Sequence, residues 1–335
     1  MAELTAEMVV DQLVPSDPRI SPDGALVAFV VAPMGRRGEH PEAAVWLVPS
    51  DGSERARKLT SGAVYDRSPR WSPDGRWLYF LSDRSERGEA QLYRMPAQKS
   101  GEAEALTRWK AGIESFVPLP DGESVALLAK DEPDEEDERR ERERDDAEVF
   151  GERWPYARLR LLEIGTGKVR TIEALGERHV VEVAPHPSGT SLAVVSWPTP
   201  ELDNWSRENA VHEVSMPDLE TRRAATLGAG VYELAWGKPA PAGPRIFAVA
   251  AGPGGVGEAV LHEVPLEPGG DGPRMLEGDL PACPAGLRRG GAPEADPLVT
   301  VADGLDTWVG RLRTEEANLE ELWHHSGLLH SQTSP

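Results

Sequence analysis

The sequence predicts an all-β fold: a β-propeller of four-stranded antiparallel blades, six of them visible, with the start of an incomplete seventh. Three observations predict it. A turn tetrapeptide recurs, an apolar run follows each copy, and the whole unit repeats about every 50 residues. A solenoid also allows such a period. It is disfavoured because parallel β-helix coils are shorter and lack hairpin-connected antiparallel strands.

The tetrapeptide is Ser21-Pro22-Asp23-Gly24, repeated as Ser72-Pro73-Asp74-Gly75, then as Leu119-Pro120-Asp121-Gly122 and more loosely as His186-Pro187-Ser188-Gly189. The prolines stand 51, 47 and 67 residues apart, the last interval lengthened by an insertion. Proline presets φ at the second turn position, aspartate bonds its own backbone, and glycine takes the left-handed conformation, so each copy is a hairpin connector. The second strand of each blade follows, at 25–31, 77–81, 125–129 and 192–195. These runs are apolar on both faces, as a strand covered by neighbouring sheets on each side requires. Third strands at 44–48, 91–95, 159–164 and 211–214 alternate apolar with polar residues. Turns such as Asp51-Gly52 and Gly165-Thr166-Gly167 lead to weaker fourth strands, ending near Leu59, Leu106, Thr171 and Leu227. The same order returns without the clean turn at 231–276 and again from Cys283 to Trp323.

Residues 1–16 are read as a lead-in and 17–325 as the propeller. Its blades lie at about 17–60, 66–107, 112–173, 179–227, 230–277 and 283–323, with a charged insertion at 131–157 and a tail at 326–335. Ser326-Gly327-Leu328-Leu329-His330 resembles the start of a seventh blade. A ring must close, so either Met8 to Leu13 supplies a closing strand or the chain is incomplete.

Composition excludes several functions. There are 57 acidic against 36 basic side chains, a net charge of −21, where a nucleic-acid binder needs a basic face. Anionic membranes are disfavoured for the same reason, and no apolar run approaches the ~18 residues of a span. Cys283 is the single cysteine, which excludes an intrachain disulfide and points to a reducing compartment. The start has no signal-peptide pattern, and the chain is expected in the cytoplasm.

Residues 131–148 hold 12 acids and 4 arginines. One reading is a solvated, partly helical excursion with Glu–Arg pairs. The other is an acidic gate for a positively charged group such as a peptide amino terminus, with Asp145, Asp146 and Glu148 as candidates. The aromatic exit at 149–157 implies that the insertion folds back onto the blades.

No catalytic residue, metal site or cofactor site is assigned. Ser124 and Ser191 sit two residues after a turn glycine but start a strand, where a nucleophile elbow needs a helix to follow. His324, His325 and His330 form at most a weak cluster. Gly252, Gly254, Gly255 and Gly257 lie between strands, not at a phosphate-binding strand-to-helix junction. Trp71 and Trp236 each end a first strand and are expected to pack between blades, while Trp197 and Trp205 flank a loop between strands, with ligand contact as the minor alternative to packing. His179 is the main candidate for a central metal of the kind some propeller enzymes use, with few other ligands near it in the pattern.

On these residues the chain resembles the β-propeller of the prolyl oligopeptidase family of serine peptidases, in its acylaminoacyl-peptidase and dipeptidyl-aminopeptidase branch. The carriers are Arg70-Trp71-Ser72-Pro73-Asp74-Gly75, Phe80-Leu81-Ser82-Asp83-Arg84, the insertion running into Val149-Phe150 and Tyr156-Ala157-Arg158-Leu159, and Ala193-Val194-Val195-Ser196 with Pro200-Glu201-Leu202-Asp203. The Ser-Pro-Asp-Gly turn itself is shared with TolB-like propellers and resembles other WD40-like repeats. The resemblance implies a propeller that caps an α/β-hydrolase domain carrying a Ser-Asp-His triad and restricts access to short peptides. No position here matches a triad residue. The expected function is therefore a truncated, non-catalytic, substrate-gating propeller, inactive alone. Its partners would be peptide substrate or the α/β-hydrolase catalytic domain, with some self-association. The alternative is a free-standing TolB-like scaffold that binds a peptide or partner protein.

Overall fold

The computed structural model describes residues 5–35, 38, 40–97, 101–145, 149, 151, 153–238, 244–252, 258–266, 272–276, 283–289, 295–314 and 318–327. The fold is a six-bladed β-propeller with four antiparallel strands per blade and almost no helix. Blade one is β1 (Leu13–Ile20), β2 (Leu26–Pro33), β3 (Ala44–Pro49) and β4 (Arg57–Lys58). Blade two is β5 (Arg67–Trp71), β6 (Trp77–Ser82), β7 (Gln91–Pro96) and β8 (Glu104–Ala105). Blade three is β9 (Ser115–Pro118), β10 (Ser124–Lys130), β11 (Ala157–Glu163) and β12 (Lys168–Thr171). Blade four is β13 (His179–Pro185), β14 (Ser191–Trp197), β15 (Asn209–Ser215) and β16 (Thr221–Leu227). Blade five is β17 (Val231–Trp236), β18 (Arg245–Ala251), β19 (Ala259–Pro265) and β20 (Arg274–Met275). Blade six is β21 (Cys283–Arg288), β22 (Leu298–Asp303), β23 (Asp306–Arg313) and β24 (Asn318–Ser326). In every blade the strands pair in chain order. Two compact units divide the chain, one with blades one to three and one with blades four to six.

The recurring turn forms as its chemistry dictates. Gly24 N–H donates to the Ser21 carbonyl at 2.8 Å. The Ser21 hydroxyl donates to Asp23 Oδ1 at 2.6 Å and accepts from the Leu26 N–H at 2.9 Å, which starts β2 in register. Ser72 repeats the pattern with Asp74 at 2.6 Å and the Trp77 N–H at 2.9 Å. These hydroxyl bonds hold the Asp23 and Asp74 carboxyls below their ordinary range. Gly24 and Gly75 have φ of 75° and 68°, in the left-handed region where a side chain is strained.

Two second strands show why these runs are apolar throughout, since each serves two cores. On β6, Leu78 and Phe80 pack with Val45 and Leu47 of blade one, whereas Tyr79 and Leu81 pack with Phe116 and Leu127 of blade three. On β18, Ile246, Ala248 and Ala250 face blade four while Phe247 and Val249 face blade six. The period-2 alternation of strand side chains thus buries both halves of one strand.

The Met8 to Leu13 segment is not a closing strand. Thr5 Oγ1 accepts the Met8 N–H at 3.3 Å and caps a one-turn helix, α1 (Ala6–Val10), after which Leu13 opens β1. At the other end Ser326, where the sequence places the start of a seventh blade, instead closes β24, and Leu328 to His330 lie outside the described residues.

Candidate functional site

The charged insertion leaves β10 and forms α2 (Glu135–Glu143) before β11. Its first turn is closed by two aspartates: Asp137 N–H donates to Asp134 Oδ1 at 2.8 Å, and Asp134 N–H to Asp137 Oδ2 at 3.1 Å. The backbone N–H of Asp137 is the main cause holding the Asp134 carboxyl low. Arg153 returns to both acids, at 3.2 Å from Asp134 and 2.8 Å from Asp137. Lys110, on the link after β8, reaches Glu138 at 2.6 Å and anchors the helix to blade three. Many of these acids therefore neutralise the chain's own cations. Of the three gate candidates, Asp145 is exposed and lies 3.5 Å from Arg140, while Asp146 and Glu148 fall outside the described residues.

A second charged group sits on the first strands. Asp17-Pro18-Arg19 and Ser68-Pro69-Arg70 occupy the same place in successive repeats, and each interrupts its strand register with a bulge. Asp17 and Ser68 have φ of 48° and 55° there. Asp17 accepts from Arg19 at 2.6 Å and from Arg70 of the next blade at 2.7 Å. Two guanidiniums share one carboxylate, so the trio carries a net positive charge and suits binding a carboxylate or carbonyl oxygen. A sequence signal existed, the Pro-Arg pair recurring one period apart, but it was masked by the stronger turn beside it.

Polar knots close the ends of two second strands. In blade two, Asp66 is fully buried and takes Arg84 at 2.9 Å, while Arg84 Nε donates to Ser82 Oγ at 2.9 Å and the guanidinium stacks on Phe80 and Tyr93. The neighbouring Asp83 accepts from Tyr65 N–H (2.8 Å), Gly88 N–H (3.2 Å) and Arg87 (3.1 Å). Arg87 also donates to the Pro41 carbonyl at 2.8 Å. In blade four, Ser196 occupies the place of Ser82. Arg178 Nε donates to Ser196 Oγ at 2.8 Å, His212 Nε2 lies 2.9 Å from the same oxygen, and Arg178 pairs with Glu208 at 3.1 Å.

Ser196 and His212 have the spacing of a nucleophile and its base, but not the setting. Ser196 is 0% exposed and His212 is 6% exposed. Burial first, then the charges of Arg178 and Arg223, push the imidazole down to about 4. The pair is a neutral structural knot. Its protonation is linked to folding: between the ordinary histidine value near 6.5 and 4, the unfolded chain takes up a proton that the folded chain refuses. Stability is therefore full above about pH 6.5 and falls as the pH drops toward 4. His212→Gln is expected to flatten the dependence of urea midpoint on pH across that window. An unchanged slope would show that the acid sensitivity resides elsewhere.

The remaining sequence candidates make the following contacts within the fold. Trp71 Nε1 donates to the Arg19 carbonyl and Trp236 Nε1 to the Ala184 carbonyl, both at 2.8 Å and both across a blade interface, as expected. Trp197 Nε1 donates to Asn209 Oδ1 at 2.8 Å, and Asn209 Nδ2 donates to the Trp205 carbonyl at 2.7 Å. Trp205 lies edge-on to Tyr232 and covers Gly230, where a β-carbon would collide with its ring. A compact helical turn at Leu202–Ser206 draws that loop onto blade four. His179 Nδ1 accepts from the Ala157 N–H at 3.0 Å and its ring rests on Trp197. Ser191 Oγ donates to Glu213, and Ser124 starts β10. Among the described residues no three histidine, cysteine, aspartate or glutamate side chains converge as a metal site would require.

Comparison with known proteins agrees with this architecture. The TolB beta propeller domain matches residues 6–151. The uncharacterized peptidase YuxL of Bacillus subtilis is 30% identical over 223 residues, 62% of this chain and 33% of that protein. A solved prolyl endopeptidase superposes with a TM-score of 0.57 at 15% identity, covering 90% of this chain and 41% of the other. The acylaminoacyl peptidase of Pyrococcus horikoshii superposes with a TM-score of 0.50 at 12% identity, covering 93% and 52%. The chain is thus a propeller whose residues 6–151 match the TolB beta propeller domain, with an uncharacterized peptidase among its relatives, and it spans about a third of the length of YuxL.

Proposed function

We propose that these residues form the substrate-gating propeller of a prolyl-oligopeptidase-type serine peptidase, with the hydrolytic centre on an α/β-hydrolase domain outside them. The observation that carries the reading is the match to the peptidase YuxL, which extends over 62% of the chain yet leaves most of that relative's length for other functions. The likeness in fold to the prolyl endopeptidase and the acylaminoacyl peptidase agrees with it. On this reading the blades admit short or unfolded peptides and exclude folded ones. The guanidiniums of Arg19 and Arg70 hold a carbonyl or terminal carboxylate of the passing chain. The net charge of −21 and the acidic insertion, through Asp145, Asp146 and Glu148, draw in peptide amino termini.

The purified 335-residue chain is then expected to hydrolyse neither aminoacyl nor acyl-aminoacyl amides and to take up no serine-directed fluorophosphonate. Stoichiometric labelling would overturn the assignment of gating alone. The scaffold reading draws on the TolB match at 6–151. It predicts tight binding of a folded partner protein, where the gating reading predicts weak binding of short peptides.

A further inference from the structure

The outermost strands of the blades differ sharply in length. β4, β8 and β20 have two residues each, which leaves little edge for another chain to pair with. β24 has nine, Asn318 to Ser326, and all but Leu319 are exposed. Its sheet ends there, and among the described residues no backbone hydrogen bond reaches its outer edge. At its centre Leu322 and Trp323 are 44% and 46% exposed. Bare hydrophobic edges are what sheet proteins ordinarily avoid.

The polar side chains flanking that centre are ordered. Glu320 and Glu321 precede Leu322-Trp323, and His324 and His325 follow it. We propose that β24 is a self-complementary interface, on which a second copy of this chain adds its own β24 antiparallel, extending blade six across a two-fold axis. In the register centred between Leu322 and Trp323, Glu321 of one copy faces His324 of the other and Glu320 faces His325. The faces agree as well. The pairing with β23 places Glu320, Trp323 and His325 on the side of Arg311 and Thr307, and Glu321 and His324 on the side of Gly310 and Trp308. A two-fold axis perpendicular to the sheet keeps each residue on its own side, so acid meets imidazole on both faces. A parallel arrangement, or a register slipped by three, would set acid against acid and imidazole against imidazole.

Neighbouring groups favour the same pairing. Glu320 is already held by Arg311 at 3.4 Å and by Arg313, and His324 lies 3.5 Å from Asp306, so these side chains are positioned along the edge rather than free to swing. Trp323 and His325 stack at 5.8 Å with an interplanar angle of 11°, forming a flat apolar plate beside the centre. The register shift of β24 against β23 falls at Leu322, on the axis, so both copies bend at the same point. One strand pair is a small interface, and the dimer is expected to be weak, with a dissociation constant in the micromolar to millimolar range.

Sedimentation equilibrium on the full chain, extended to millimolar concentration, is expected to show reversible dimers. Trp323→Lys should lower the association constant by about tenfold or more, whereas Leu202→Lys, at an exposed leucine of blade four outside this strand, should leave it unchanged. Register is read separately in a Cys283→Ala background. Glu321→Cys mixed with His324→Cys should form an intermolecular disulfide under mild oxidation. Each variant alone should not, because the like pairs are offset by three residues, about 10 Å. A monomer at all concentrations overturns the proposal. So does cross-linking of either variant with itself as fast as of the mixture, or dimerisation that Trp323→Lys leaves intact.

Discussion

Replacing Trp236 by alanine is expected to lower stability by about 3–5 kcal/mol, the range for removing a large buried aromatic side chain. The indole lies between blades four and five among Val195, Leu234 and Ile246, with its Nε1 donating to the Ala184 carbonyl and its ring edge-on to His186 at 4.7 Å. Alanine leaves a cavity at a blade interface and an acceptor without its donor. Trp236→Phe keeps most of the volume and removes the donor, so its expected cost is about 1–2 kcal/mol. Urea denaturation of the two variants separates packing from hydrogen bonding. Equal losses would mean that the hydrogen bond, not the ring, holds the blades together. Trp71 makes the equivalent bond but is only partly buried, and Trp71→Ala should cost less than Trp236→Ala.

Asp83→Ala is expected to cost about 3 kcal/mol. The carboxylate is 3% exposed and serves three donors at once, Tyr65 N–H, Gly88 N–H and Arg87. Removing it strands two backbone donors and leaves a guanidinium without its acceptor. Tyr65 bridges to Ala43 beside β3, and Arg87 donates to the Pro41 carbonyl, so Asp83 ties the link between blades one and two to the loop that follows β6. Asp83→Asn keeps one carbonyl acceptor and should lose roughly half as much. Thermal denaturation of the two variants checks the order. A milder effect for alanine than for asparagine would mean that charge burial, not bonding, dominates the site.

The repeat made the fold legible. Ser-Pro-Asp-Gly sets its own turn through contacts spanning five residues or fewer, and the doubly apolar second strand follows from having a blade on each side. Leu78 and Tyr79 show this, adjacent in sequence and buried in different cores. Trp71 and Trp236 were readable as interblade residues because they recur at one phase of the period. The polar knots were not readable. Arg178, Ser196, Glu208 and His212 come from two strands and two loops, and only the folded blade brings them within hydrogen-bond reach. Asp83 stood inside a recognisable motif, yet its role depends on Tyr65 and Arg87 on different loops. The hold of Asn209 on both ends of the loop flanked by Trp197 and Trp205 was not legible, because that residue carries no signal in its own neighbourhood. The acidic insertion is legible as partly helical, but part of its charge is offset by Arg153 at its own exit and by Lys110 on the preceding link, pairings that only the fold reveals.

Capture of the native polypeptide from its source cells, with an antibody raised against this propeller, tests the central claim most directly when the captured material is labelled with a fluorophosphonate and weighed intact. The gating account predicts a species heavier than the 36.4 kDa of this sequence that carries the label, or a labelled hydrolase captured with it in stoichiometric amount. A captured species of 36.4 kDa, unlabelled and with no labelled companion, would contradict it.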